Sequence, residues 1–259
     1  MKKTGIFWFF VLGLFLTTQA RAHFLWVNPR AYHLETGEEL VFTLGFGHHF
    51  PGPGGDFLEK SLLKELIIIT PSGKRLVVET GAYPILFKTP ALLKEGTYLV
   101  VAEKKPGFFS KTAHGFFRKP KNELEDVIEC KFSKRYAKAL ITVGKAKGEL
   151  YRQVLGQELE IILLKDPNSL RVGDELPIKV LYQGKPYPKA QVLATYEGFS
   201  PREKSYFSFA VRTNARGEAT LRLDHRGPWL IKVSKINPYP EKEICDVETL
   251  VATFTFELP

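Results

Sequence analysis

The second half of the chain is a run of short apolar segments, most with a period of two, separated by turn signals, with no helical pattern between them. Residues 159–164, 176–182, 191–196, 206–213, 219–223, 229–233 and 250–256 are the segments. Asp166-Pro167-Asn168, Gln183-Gly184-Lys185-Pro186 and Asn214-Ala215-Arg216-Gly217 supply turns. Seven short strands spaced this way fit an antiparallel sandwich of ordinary size. The lack of helix between successive strands disfavours a βαβ architecture. The first half carries the same signal at lower regularity. Residues 40–46, 66–70, 76–79 and 97–103 read as strands, with Pro71-Ser72-Gly73-Lys74 as a turn. Residues 119–135 are charged and less periodic, and predict a long excursion with a helical turn. From Tyr136 the alternation of Ala137, Ala139, Ile141 and Val143 predicts another strand, stopped by Gly144. The expectation is an all-β protein of two immunoglobulin-like β-sandwich domains in tandem, residues 23–148 and 149–259, joined near residues 145–156.

Residues 1–22 read as a Sec-type signal peptide rather than as part of the fold. Lys2 and Lys3 form a positive start, and residues 5–16 are an apolar run of twelve. That length suits a signal sequence and is short for a membrane-spanning helix. Ala20 and Ala22 stand at the small-x-small positions of a cleavage site, which predicts a cut between Ala22 and His23. The mature chain then begins with histidine. An N-terminal histidine offers its α-amine and its ring Nδ1 to one metal ion, closing a six-membered chelate without further folding. A cut after Ala20 would place His23 third, an arrangement that chelates Cu(II) or Ni(II) through a square-planar nitrogen set. Both cuts leave a metal-competent terminus.

Charge and cysteine content narrow the function classes. Losing Lys2, Lys3 and Arg21 lowers the formal charge from +9 to +6. The remaining basic residues are interspersed with acids, so they read as a solvated surface. No recognition motif points to nucleic acid. No second hydrophobic segment reaches membrane-spanning length, so the processed protein is expected not to span the membrane and to reside in the periplasm or be secreted. Such a compartment is oxidising, and Cys130 and Cys245, the two cysteines, are able to pair there. Their proximity cannot be read from sequence. There is no Gly-x-Ser-x-Gly elbow, Walker loop, dinucleotide glycine pattern or His-Glu-x-x-His, so a binding protein is expected rather than an enzyme.

The stretches 184–192 (Gly-Lys-Pro-Tyr-Pro-Lys-Ala-Gln-Val), 213–219 (Thr-Asn-Ala-Arg-Gly-Glu-Ala) and 227–233 (Gly-Pro-Trp-Leu-Ile-Lys-Val) resemble the transthyretin-like or carboxypeptidase-regulatory type of immunoglobulin-like module. The mature chain as a whole resembles a domain-of-unknown-function family described as a periplasmic component of nickel/cobalt uptake. The residues that carry this are His23-Phe24-Leu25-Trp26-Val27-Asn28-Pro29, Gly47-His48-His49-Phe50-Pro51, the stretch 106–112, the stretch 136–140, and Leu159-Glu160-Ile161 with Asp166-Pro167. The resemblance implies an exported metal-binding protein, with nickel or cobalt favoured and a membrane metal transporter as partner.

Of the six histidines, His23 and the pair His48-His49 carry the chemistry. The pair follows a strand and enters the loop Pro51-Gly52-Pro53-Gly54-Gly55. Neutral imidazole is a good ligand for Ni(II), Co(II), Cu(II) and Zn(II). Consecutive side chains on an extended strand face opposite ways, so one of the two is expected to bind and the choice stays open. Asp56 offers a carboxylate ligand or satisfies loop amides. His114 offers a third imidazole or is solvated. His33 and His225 read as surface residues. Trp26 and the pairs Phe108-Phe109 and Phe116-Phe117 read as core or loop anchors. Two other functions use the same residues or none of them. One is a copper-binding histidine brace, as a chaperone or a redox enzyme. The other is a structural or adhesion module without a metal.

Overall fold

The computed structural model describes residues 23–52, 58, 60–78, 86–92, 94–145, 148–199 and 206–259. Residues 1–22 and Asp56, which carry the expected signal peptide and carboxylate ligand, lie outside the described residues. The described chain is built from strands and four single turns of 3-10 helix, with no α-helix among them. In chain order the strands of the first half are β1 (Phe24–Pro29), β2 (His33–Leu34), β3 (Glu39–Gly47), β4 (Leu63–Ile69), β5 (Arg75–Val77), β6 (Leu86–Ala91), β7 (Gly96–Thr112), β8 (Gly115–Phe117) and β9 (Val127–Val143). Those of the second half are β10 (Leu159–Leu163), β11 (Glu175–Tyr182), β12 (Lys185–Pro186), β13 (Gln191–Tyr196), β14 (Phe209–Arg212), β15 (Glu218–Arg222), β16 (Gly227–Pro238) and β17 (Val247–Leu258).

A ten-stranded sheet forms the middle layer, in the order β14-β13-β16-β17-β9-β7-β4-β5, with β2 added to β9 and β8 to β7. It contains strands from both halves, joined where β17 runs parallel to β9 from Val247↔Lys131 to Thr255↔Ala139. The halves are thus connected laterally as well as through residues 145–156. A three-stranded sheet, β1-β3-β6, covers one face of the middle layer, and β10, β11, β12 and β15 cover the other.

Period-two alternation explains how one strand serves both faces. On β9, Ala137, Ala139, Ile141 and Val143 pack with Leu25, Val27, Leu40, Phe42 and Phe87 of the three-stranded sheet. Tyr136 and Leu140 face the other way, toward Leu159, Ile161, Ile178, Val180 and Leu221. The same split on β7 sends Tyr98, Val100 and Ala102 to the first core and Leu99 and Val101 to the second. Both faces are apolar because both are covered.

The charged stretch 119–135 is less of an excursion than its composition predicts. It holds one 3-10 turn, Lys121–Glu123, and β9 begins at Val127. Pairing with β7, from Gly107↔Ser133 to Lys111↔Glu129, extends the strand outward despite weak hydrophobic alternation. A disulfide between Cys130 and Cys245 anchors this extension to the segment before β17, with Cα atoms 5.0 Å apart. Asp246 reinforces it, accepting from the Cys130 backbone N–H at 2.7 Å and from Lys121 Nζ. The bridge spans 115 residues of sequence. Replacing both cysteines by serine is therefore expected to cost about 2–4 kcal/mol, chiefly by freeing the unfolded chain. Urea unfolding of the double variant measures it, and an unchanged midpoint would contradict the expectation.

Beyond the end of β4, the outer parts of β7 and β8 are uncovered. Phe109 and Phe116, expected as anchors, stack at 5.2 Å between centroids but remain 43% and 63% exposed. Phe108 does anchor, packing on Phe132 and Tyr239.

Candidate metal centre

Strand β1 is an edge of the three-stranded sheet, pairing with β3 on one side only. Unpaired edge carbonyls need other partners. The middle sheet supplies them from side chains. The Thr255 hydroxyl donates to the Val27 carbonyl at 3.0 Å, and the Thr253 hydroxyl to that of Leu25 at 2.6 Å. Arg135 Nε donates to that of His23 at 2.7 Å. Three alternate carbonyls are thus pinned in turn, and the last pin fixes His23 itself. Arg135 is held by further bonds from Nη1 to the carbonyls of Lys134 and Thr249.

The side chains of β1 pointing the other way complete the support. Phe24 and Trp26 join Phe50, Leu230, Val251 and Phe207 in a small third core. Trp26 is fully buried and lies flat across Gly45, its partner in the β1–β3 register. A Cβ on Gly45 would clash with Cε2, Cζ2 and Nε1 of the indole. Gly45→Ala is therefore expected to destabilise the fold by about 1–3 kcal/mol, the range for overfilling a packed core. The disturbance should reach the histidines, because Trp26 also packs on Phe50, two residues past His48. Thermal unfolding of the variant, with wild-type behaviour as the contrary result, tests this.

On that support the β1–β3 register places the His23 end of β1 beside Gly47, and the chain leaves β3 directly into His48. The His23 and His48 rings meet edge to face, with centroids 4.4 Å apart. Phe46 borders His23 at 5.4 Å. Tyr206 stands on the far side, 6.3 Å from His48 in a stacked arrangement and 4.3 Å from His49 edge-on. His48 is half-buried and His49 is exposed. The structure thus brings His23 and His48 together and turns His49 to the outer side of Tyr206.

His114 is not part of this group. It occupies the exposed turn joining β7 to β8, where its backbone N–H donates to Thr112 Oγ1 at 3.0 Å. From Lys104, which pairs with Arg135, that turn lies about 25–30 Å along the strand, at roughly 3.3 Å per residue. His33 lies 3.6 Å from Glu257, and His225 stacks on Tyr196 at 4.0 Å. Among the described residues, no group of three or more histidine, cysteine, aspartate or glutamate side chains is placed to hold a metal. Two imidazoles close together are a weak chelate by themselves. The donor set fits a transition metal once the α-amine of a processed His23 is added, because three nitrogens then converge from two adjacent segments.

The electrostatic surroundings are positive. Arg135 is 5% exposed, and burial pushes its guanidinium down to about 10. Lys232 is half-buried, its Nζ 5.2 Å from the Phe24 ring centroid and 5.1 Å from that of Phe207. Burial, with the charge of Arg135 second, pushes its ammonium down to about 8. Half-buried Lys104 is also lowered to about 8 by burial, and then by Arg135 and Arg118. Sequence reasoning picked out the histidines but missed Arg135, Lys232 and Tyr206. The first two had a readable signal, since each is a cation at an inward-facing position of an otherwise apolar strand. Tyr206 had none.

Comparison with known proteins adds a family and little else. No protein with a curated description matches the chain. The chain is loosely similar to the D0-D1 domain of Intimin, at 13% identity, covering 89% of this chain and 97% of that one with a TM-score of 0.23. It is similar in the same degree to the Yersinia pseudotuberculosis adhesin InvE, at 15% identity, 90% and 58% coverage and a TM-score of 0.20. A DUF4785 family protein from Legionella pneumophila gives 9% identity, 80% and 50% coverage and a TM-score of 0.26. Likeness at this level carries no argument about what the chain binds. The family profile is different in kind, because it matches residues 20–236, from the expected processing site through both outer sheets and most of the middle one. The chain belongs to the family described as Domain of unknown function (DUF4198).

Proposed function

We propose that the protein is an exported binding protein that captures a divalent transition metal through the His23 amine, the His23 ring and the His48 ring, and releases it to a membrane uptake system. The observation that carries this reading is the 4.4 Å edge-to-face approach of the His23 and His48 rings, at the residue where a signal peptide would be removed. Nickel or cobalt is the favoured cargo, on the family resemblance read from the sequence. Pinning of the His23 carbonyl by Arg135 supports the reading, because it holds the terminal residue in place before metal arrives. The Cys130–Cys245 disulfide fits an oxidising compartment outside the cytoplasm. Among the described residues no helix is long and apolar enough to cross a membrane. The role of His49 in this reading is secondary, as a neighbour of Tyr206 on the rim.

The same three nitrogens favour a second cargo. Copper(II) outcompetes nickel(II) at most nitrogen sites, so the amine and two rings also suit a copper chaperone. Affinity order alone does not separate the two, whereas growth and uptake under nickel or copper limitation do. For the site itself, the test is calorimetric titration of Ni(II) and Cu(II) into processed protein and three variants. His48→Ala is expected to weaken binding by more than about tenfold, as loss of a direct ligand should. His49→Ala is expected to stay within about threefold of wild type. The reverse order would move the second donor to His49. Equal affinity in wild type, His23→Ala and His48→Ala would remove the site.

A further inference from the structure

Four of the nine large apolar side chains exposed among the described residues gather at the outer ends of β7, β8 and β9. They are Phe109, Phe116, Phe117 and Ile128. Singly such residues need no explanation, but a cluster marks a contact surface. The register shows how they are arranged. Phe116 stands opposite Lys111 of β7, which places it on the same face as Phe109, and the two rings stack. Phe117 is next in the strand and points to the other face, opposite buried Ser110. The hairpin is therefore apolar on both faces, a wedge rather than a flat patch.

Charge and size decide what such a wedge would enter. Residues 104–119 carry Lys104, Lys105, Lys111, Arg118 and Lys119 and no acidic residue. The nearest acids follow in the connection and in β9, where Glu123 lies 3.8 Å from Lys119 and Glu129, opposite Lys111, bonds to Lys131 at 2.8 Å. Over residues 104–131 the balance is seven cations to four acids. The three phenylalanines together expose about one and a half side chains, roughly 200–350 Å². A stable protein interface buries roughly 800 Å² on each partner. A bilayer asks for no matching surface: aromatic rings enter its interface while lysine and arginine beside them meet anionic headgroups. We propose that the β7–β8 hairpin is a membrane-docking element, which inserts Phe109, Phe116 and Phe117 into the headgroup region of an anionic bilayer with Lys111 on the phosphates. This does not depend on the metal reading, although it would serve it. Phe109 pairs with Lys131, four residues along β9 from the Arg135 that pins His23, or about 13 Å of strand.

The test is flotation of the processed protein with vesicles of equal parts phosphatidylglycerol and phosphatidylcholine, and with vesicles of phosphatidylcholine alone. Binding to the anionic vesicles is expected to be the tighter and to weaken as salt is added. Joint replacement Phe109→Ser and Phe116→Ser should weaken it by more than about tenfold, and Lys111→Gln by about fivefold. Thermal unfolding of these variants should stay near that of the wild type, because all three side chains are exposed. Phe116→Trp gives a direct readout, since Trp26 and Trp229, the other tryptophans of the processed chain, are buried. Its emission should move to the blue on anionic vesicles. Equal flotation of the wild type and the double serine variant, or an unshifted emission from Phe116→Trp, would overturn the proposal. Self-association of the wild type that the serine variant loses, without vesicle binding, would make the patch an interface between copies instead. His48→Ala should float like the wild type, so this proposal and the metal reading fail separately.

Discussion

Glu160→Leu is expected to destabilise the protein by about 3–5 kcal/mol, the range for breaking a buried ion pair from one side. Glu160 and Lys138 have side chains only 1% and 2% exposed, and they bridge β10 to β9. The carboxylate is fully occupied. It accepts from Lys138 Nζ and the Leu155 N–H on Oε1, and from the Gly156 N–H on Oε2. Leucine leaves both backbone N–H groups without that acceptor and leaves the ammonium with the Ile161 carbonyl alone. Lys138→Met should be milder, because the carboxylate keeps two backbone donors. The pair with glutamine at 160 and methionine at 138 should recover much of the loss, since the amide oxygen still accepts from one N–H and no charge is buried. Urea unfolding of the wild type and the three variants gives the comparison. Equal losses in the two single variants would contradict the asymmetry. The pair also matters for architecture, since Leu155 and Gly156 belong to the connection between the two halves.

What the sequence conveyed follows from which interactions are local. The strand segments of the second half were legible because turn residues and period-two alternation are written within a few positions. The parallel register of β17 on β9 was not, because it joins residues more than a hundred positions apart and is set by side-chain packing in the middle sheet. Residues 131–135 looked like surface because their partner strand β7, rather than their own hydrophobicity, makes them part of a sheet. Phe109 and Phe116 misled in the opposite direction. Apolar composition signals burial only where another layer covers the strand, and neither core on the two faces of the middle sheet includes Phe109 or Phe116.

The centre divides in the same way. His23, His48 and His49 stood out by residue type and by the expected processing site. The choice between His48 and His49 lay beyond strand parity, because β3 ends at Gly47 and the next residues follow the turn. Tyr206 borders both rings from the segment before β14, 157 positions after His49. Arg135 and Lys138 sit at inward positions on opposite faces of β9, so each reads as an anomaly against an apolar pattern. Such anomalies are recognisable, but the partners that explain them are not.

The position of the amino terminus is expected to matter as much as the histidines. The rings of His23 and His48 alone make a two-nitrogen site, and the described side chains around them contain no third histidine, cysteine or carboxylate in a ligating group. The α-amine exists on His23 only when the peptide bond to Ala22 has been cut. A cytoplasmic form that retains Met before His23 replaces that amine with an amide nitrogen, a far poorer donor unless it is deprotonated. Its Ni(II) and Cu(II) affinities are therefore expected to fall by about a hundredfold or more, beyond the roughly 10–100-fold that loss of a group behind a ligand costs. The fold should not change, because the His23 carbonyl and its bond to Arg135 are the same in both forms. Protons compete for the amine and both rings, so the advantage of the processed form should shrink as pH is lowered. Arg135→Met would separate position from donor count: the amine and rings remain, while the pin on His23 is lost. Intermediate affinity is the expected result for that variant. Titrations of the processed, Met-extended and Arg135→Met proteins at matched pH, with thermal unfolding of each, provide the check. Equal metal affinity in processed and Met-extended protein would show that the amine is not a ligand and would leave the two rings as a packing contact.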